Sequence, residues 1–189
     1  LDLLGYSACV DRHIELFRKP PGSVQPTGPS YAMAPGYFST PKSLTAFNWI
    51  TDHGAILTQA SMHGLLTNDP DFIERWTVPI VKACDFIQRS CAKTNHGGVQ
   101  GLLPPAVATD ELIPTQAVWN IAWNYKGLVT AVRLLKRIHH PRADEFDAFA
   151  IQQKEIFVKA FRERAAAMPQ WTDAEGKKHP KIPDTLSST

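Results

Sequence analysis

The chain has 189 residues, 43% hydrophobic and 20% charged, with twenty basic and eighteen acidic side chains and a net charge of +2. This composition excludes intrinsic disorder, and the near balance of charge leaves no concentrated basic face for nucleic acid. No apolar run approaches the ~18 residues that a membrane span requires, because Asp, His, Lys or Arg interrupts each one.

The opening stretch, LDLLGYSACVDRHIELFRK, reads as a helix over about residues 2–18 with its beginning cut away. It is no signal peptide, since Asp2, Asp11 and Glu15 fall where charge is not tolerated. Residues 19–42 hold nine Pro and Gly and form a long loop. Helical periodicity then predicts a helix over 43–66, a turn at Thr67-Asn68-Asp69-Pro70 with cap and N1 signals, and a second helix over 71–93 that Pro79 should kink. A Gly/Pro-rich loop over 94–115 follows. The next helix covers 116–138, His139-His140-Pro141 ends it, and a further helix covers 142–167. Residues 168–189 read as a third long loop, again stopping as a piece of something longer would. Alternating Val/Ile/Thr runs and Asn-Gly turns are missing, so the expected class is all-α.

Aligning Gly54 with Gly127 also pairs Ile73 with Phe146 and Trp76 with Phe149, so the two hairpins repeat at a spacing of 73 residues. Within each hairpin the helices differ in kind. Between Ser43 and Asn68 the one formal charge is Asp52, and a helix apolar nearly all round belongs inside. The helix over 142–167 instead sets Phe146, Phe149, Phe157 and Phe161 against Asp147, Lys154, Glu155 and Arg162, the pattern of a surface helix. The expected architecture is therefore one α/α toroid segment spanning 1–189, incomplete, in which helices 43–66 and 116–138 are inner and 71–93 and 142–167 are outer. All three long loops should meet at one end, where function is usually carried.

The most informative segment is HGGVQGLLPPAVATDELIPTQAVWNIAWNY, His96 to Tyr125. Its two formal charges, Asp110 and Glu111, precede a helix that opens with Trp119 and Trp123, Asn120 and Asn124, each pair spaced i,i+4. Aromatic faces stack on sugar C–H surfaces and amides bond hydroxyls, so this grouping suits a carbohydrate. A carboxyl group near apolar Leu and Trp would have its pKa raised, as a general acid at a glycosidic oxygen requires. Packing and helix-dipole roles explain the same residues without any ligand. Asp52, with His53 and Trp49, makes a second cluster, because a carboxylate on an apolar helix must be paired or used. No HExxH, paired CxxC, phosphate-binding loop or Ser elbow is found, so neither metal nor cofactor is expected. Cys84 and Cys91 lie about 10 Å apart along one helix, too far to bridge, and read as buried free thiols.

GLLPPAVATDE followed by WNIAWNYKGLVTAVRLLKRI resembles the six-hairpin glycosidases, whose catalytic domain is an (α/α)6 barrel. The resemblance covers about residues 40–170, which is two of six hairpins. It implies hydrolysis of an O-glycosidic bond by two carboxyl groups, a carbohydrate in the barrel mouth, and a secreted or periplasmic setting. Gly101-Leu102-Leu103-Pro104 matches the family loop, and Asp110 and Glu111 stand at its acidic positions. Trp119, Asn120, Trp123, Asn124 and Tyr125 match the inner helix. Glu111 is preferred over Asp110 as the acid because its longer side chain reaches further. Trp49, Asp52, His53, His96 and, in the third loop, Trp171 and Asp173 complete the candidate wall. Since a partial toroid leaves inner faces uncovered, the remaining segments of the same toroid or another subunit are the expected partners. The alternatives are a lyase or epimerase using Tyr125, His53 or His96 as base, and a non-catalytic helical scaffold.

Overall fold

The computed structural model describes residues 1–18, 28–31, 36–38, 49–108 and 112–188. Within them, a 3₁₀ turn at Asp2–Leu4 precedes five α-helices: α1 (Ser7–Arg18), α2 (Ile50–Thr67), α3 (Pro70–Cys91), α4 (Val118–Arg137) and α5 (Ala143–Ala167). The chain is mostly helical, and both hairpin turns form where capping chemistry predicts. Asn68 adopts a left-handed conformation that returns its N–H to the Gly64 carbonyl, while the Asp69 carboxylate accepts from the N–H groups of Asp71 and Phe72 and Pro70 takes N1. At the second turn His139 takes positive φ and the His140 N–H closes on the Leu135 carbonyl. α3 continues through Pro79 to Cys91. Residues 43–48, expected to open the first inner helix, lie outside the described residues.

The mostly helical class holds, with a few short strands added to it. β1 (Ala106–Val107), β2 (Pro114–Ala117) and β5 (Thr185–Ser188) form an antiparallel sheet in the order β1-β2-β5, and β3 (Trp171–Thr172) pairs with β4 (Lys178–His179). Strands of two to four residues are too short to display an alternating pattern, so they read as loop.

The helices are arranged around the contact of α2 with α4. These two run parallel and in register: Asn124 Nδ2 donates to the Ile50 carbonyl at one end, and Arg137 Nη1 donates to the Leu65 carbonyl at the other. Gly54 and Gly127, which the repeat places at equivalent positions, meet at the crossing. A Cβ on Gly54 would stand 2.4 Å from the Trp123 carbonyl oxygen, and one on Gly127 would stand 2.7 Å from the Gly54 oxygen. α3 covers α2 through Phe72, Trp76, Ile80 and Ala83, all fully buried, and α5 covers α4 through Phe146 and Ala150. The burial contrast follows the charge contrast: α2 buries ten of its 18 residues and α5 five of its 25.

The long loops collect at the end where α2 and α4 begin. The Tyr31 hydroxyl donates to the Pro104 carbonyl, Tyr37 to Trp49, and Lys93 Nζ to the Ser30 carbonyl. β5 returns the C-terminal segment to β2, and the Val118 N–H donates to the Asp184 carbonyl. The Asn68 turn lies at the far end of α2.

Gly-to-Ala changes inside helices ordinarily stabilise by about 0.5–1 kcal/mol. Gly54→Ala should reverse that sign and lose about 2–3 kcal/mol in chemical denaturation, because its methyl group meets backbone that only helix separation can relieve. Gly64→Ala meets side chains rather than backbone, the Leu134 methyl groups at 3.1 and 3.3 Å and the Phe72 ring at 3.5 Å, and should stay within about 1 kcal/mol of the parent. Equal stabilities for the two variants would refute the close crossing.

Candidate functional site

β2 runs directly into α4 at the end where the loops meet, and the first turn of α4 places Trp119 at the surface, 57% exposed. Trp123, one turn later and half-buried, meets it edge to face with ring centroids 5.6 Å apart, and Lys126 Nζ sits 5.0 Å from the centroid of the Trp123 ring. Each pair reflects i,i+3 or i,i+4 spacing on one helix. On α2 a matching stripe of Asp52, Ala55, Gln59, Met62 and Leu66 stays wholly or partly exposed. Ala55, Gln59, Met62, Leu66, Trp123 and Lys126 line a common groove of about 490 Å³, completed by Leu1 and Leu3. Asp52 stands one turn before Ala55 and Trp119 one turn before Trp123, so both lie toward the loop end of this face.

Asp110 and Glu111, the preferred carboxyl groups, lie outside the described residues. The segment that carries them is bracketed by paired strands, with Ala106 opposite Thr115 and Val107 opposite Pro114. Its two ends are thereby fixed immediately before α4. Leu112, at its exit, has φ 59° and is exposed.

Several residues expected to touch substrate serve the architecture instead. His53 is fully buried: its Nδ1 accepts from the Phe38 N–H at 2.9 Å, and Nε2 faces the Ala83 carbonyl at 3.1 Å. These partners require the neutral Nε2–H tautomer, which burial enforces by lowering the pKa to about 3. Tyr37, Phe38 and Phe86 surround the ring, so His53 has no free polar atom to offer. His96 is similarly occupied, with Nδ1 accepting from the Gly98 N–H and Nε2 facing the Lys93 carbonyl. Asn120 and Asn124 are buried rather than presented to a ligand on the open face. Asn124 Nδ2 bridges the Ile50 and Asn120 carbonyls, and Asn120 Nδ2 reaches the Ala106 carbonyl at 3.4 Å. The side-chain oxygens of both asparagines are buried without a partner. Tyr125 is half-buried on the α5 side of α4, lining a different cavity.

Trp49 is half-buried at the start of α2, and its carbonyl accepts the Tyr37 hydroxyl. Trp171, 48% exposed, stacks on His179 at 4.6 Å, and His179 Nε2 meets the Asp173 carboxylate at 2.5 Å. That hydrogen bond holds Asp173 below the ordinary carboxylate range. Cys84 and Cys91 are buried free thiols, both pushed up by burial, and Cys9 is exposed. Among the described residues no three His, Cys, Asp or Glu side chains converge as metal ligands, and no helix is long and apolar enough to cross a membrane.

Sequence reasoning missed Gln116, whose amide organises the loop end. Oε1 accepts from the Val99 N–H and the Ser187 hydroxyl, while Nε2 donates to the Val99 and Leu103 carbonyls. Gly98 lies against this amide, where a Cβ would come within 2.9 Å. A polar residue entering an apolar helix was the available signal. No known family model, curated protein or solved structure matches the chain.

The buried imidazole gives a signed pH dependence. Its folded pKa is lowered from 6.5 to about 3, so between these values the unfolded chain takes up a proton that the folded chain refuses. The contribution is fully present above pH 6.5 and falls with pH by up to about 1.4 kcal/mol per unit. Plotted as folding stability against pH from 6 to 4, His53→Gln should give a slope shallower than the parent by about that amount. Parallel curves would mean that His53 is not held neutral.

Proposed function

We propose that this chain is a segment of an α/α-toroid glycoside hydrolase. It cleaves an O-glycosidic bond of an oligo- or polysaccharide held on the exposed face of α2 and α4. The observation that carries the proposal is the Trp119–Trp123 pair: a large aromatic surface held in the open at the start of α4. It follows β2, which with β1 brackets the segment bearing Asp110 and Glu111, and it shares its helix face with the groove that continues the Asp52 stripe. In this reading α2 and α4 are inner helices, α3 and α5 are outer ones, and the exposed face is the wall of a toroid lumen. The sugar ring stacks on Trp119. Glu111, or Asp110 in its place, protonates the leaving oxygen, and Asp52 contributes charge across the groove. Trp49 and Trp171 offer further aromatic surface at the same end. Hydrolysis is favoured over a lyase or epimerase mechanism because the ring nitrogens of His53 and His96 are already engaged, which leaves Tyr125 as the base that mechanism would need.

The decisive experiment separates binding from proton transfer. Trp119→Ala, a surface change that should alter stability by no more than about 0.5 kcal/mol, should weaken oligosaccharide binding about tenfold in tryptophan fluorescence titrations. Glu111→Gln or Asp110→Asn, whichever removes the acid, should lower turnover of native glycosides about 10²–10⁴-fold. The same variant should lose much less on an activated aryl glycoside, whose leaving group needs little protonation. Equal losses on both substrates would exclude the residue as the acid. Unchanged kinetics in both carboxyl variants, with binding indifferent to Trp119, would overturn the hydrolase reading.

A further inference from the structure

A separate cavity, of about 440 Å³, lies where the Asp2–Leu4 turn and α1 meet the C-terminal end of α2. Asp2, Ser7, Ala8 and His63 line it, together with Asp11 and Asp69. The His63 side chain is 2% exposed, and its Nδ1 meets the Asp2 carboxylate at 2.8 Å. In the neutral ring a carboxylate partner keeps the proton on Nδ1 and leaves Nε2 as the acceptor. Nε2 has no hydrogen-bond partner among the described residues and is not among the fully enclosed polar atoms, so it opens on the cavity that the ring lines. Phe72 packs edge to face on the imidazole at 4.4 Å and fixes its plane. Ser7 is the first residue of α1, where the earliest helix hydrogen bonds run from Cys9 and Val10 to the Tyr6 carbonyl. The N–H groups of Ser7 and Ala8 precede these and are orphan donors of the helix N-terminus. One cavity therefore holds a hydroxyl, an oriented imidazole with its outer nitrogen open, and two backbone donors.

We propose that Ser7, His63 and Asp2 form a hydrolytic triad that acts on short-chain carboxylic esters. Ser7 Oγ attacks the ester carbonyl carbon while His63 Nε2 takes its proton, and the Ser7 and Ala8 N–H groups hold the oxyanion. The bond from the acyl carbon to the alcohol oxygen then breaks, and His63 returns the proton to the leaving alkoxide. Water next attacks the acyl group on Ser7, its proton passing through His63 to Ser7 Oγ, and the carboxylic acid leaves. Asp2 touches no reacting atom and is a positioning residue, since its hold on Nδ1–H aims Nε2. Ser7 Oγ makes no hydrogen bond to the imidazole in this structure, a contact that substrate binding commonly tightens. The neighbouring carboxylates set the substrate charge. Arg75 Nη2 donates to both Asp11 oxygens at 3.0 Å, and Asp69 caps α3. With Asp2 they surround the cavity with negative charge, so the ester is uncharged or cationic. This activity is distinct from glycoside cleavage and uses none of the residues assigned to it.

The test joins labelling to turnover, because surface nucleophiles also react with activated esters. An alkyl fluorophosphonate transfers its phosphonyl group to an activated serine and releases fluoride. It should label the intact chain at Ser7, as located by peptide mass spectrometry. Ser7→Ala, at a partly exposed position, should prevent labelling and lower kcat/KM for 4-nitrophenyl acetate about 10²–10⁴-fold. Asp2→Asn should lower kcat about tenfold or more with KM little changed. A merely structural tie between Asp2 and His63 would instead lower the thermal midpoint and leave kcat alone. His63→Gln should match Ser7→Ala where circular dichroism shows that it folds; if it does not fold, Ser7→Ala and Asp2→Asn carry the test. The monoanionic 4-nitrophenyl succinate should be cleaved about tenfold more slowly than the acetate. No label on Ser7, hydrolysis indifferent to Ser7→Ala, kcat unchanged in Asp2→Asn, or succinate cleaved as fast as acetate would each overturn the proposal.

Discussion

The close crossing of α2 and α4 at Gly54 and Gly127 is the constraint from which the rest of the structure follows. Two helices whose side chains interdigitate usually keep their axes about 8–10 Å apart. Here glycine on each side brings backbone against backbone, with the Trp123 carbonyl and the Asn124 N–H over Gly54. That proximity lets a short amide, Asn124, span from one helix to the first carbonyl of the other. It also locks the register, so that the start of α2 lies beside Asn124, in the second turn of α4. A displacement by one turn would move the α4 tryptophans away from the Asp52 stripe and break the amide bridge. The glycine pair is thus responsible both for packing and for which side chains share the open face.

Around the helix beginnings, polar residues act as connectors. Gln116 satisfies four backbone or hydroxyl groups from two separate segments, and His53 joins the 36–38 segment to α3 through its two ring nitrogens. Loops this rich in Pro and Gly carry many backbone groups that no regular ladder can satisfy, and buried amides and imidazoles meet that need. This explains why His, Asn and Gln are concentrated near the candidate mouth, and why most of them do not face it. Large side chains left exposed there include Trp119, Leu112 and Ile113.

That division marks what could be read in the sequence. The turn at Asn68-Asp69-Pro70 and the stop at His139-His140-Pro141 were legible because capping is a local transaction between neighbours. The Gly54–Gly127 equivalence was visible as a repeat, since parallel packing in register turns sequence spacing directly into contact. The fates of Trp119 and Asn120 were not legible. Both sit in the opening turn of one apolar helix, yet one is largely exposed and the other 3% exposed. The difference depends on where α2 and β1 lie, which no local pattern encodes. β1, β2 and β5 were missed for a related reason: their pairing joins segments as far apart as Thr115 and Ser188, and neither segment is long enough to show a strand period of its own. His53 looked like a ligand-binding group because a polar residue on an apolar helix has two explanations. The choice between them rested on the 36–38 segment folding back to donate to it.

The way the open face is supported bears on what it can do. Among the described residues α1, α3 and α4 cover α2 and leave the strip from Asp52 to Leu66 wholly or partly exposed. α4 is covered by α2 on one flank and by α3 and α5 on another, and Trp119, Trp123 and Lys126 are among its residues left wholly or partly exposed. The aromatic surface is therefore built on two helices in contact along most of their length, not on a loop. Trp123 is pressed between Trp119 and the Lys126 ammonium, and Trp119 in turn rests its edge or face on Trp123. Each contact removes rotamer freedom before any ligand arrives, so less ordering is left to oppose binding. Large rigid side chains on a rigid element give affinity mainly by this route. Two aromatic rings held in advance by their neighbours on one helix form a surface whose geometry does not depend on reorganising the helices beneath it.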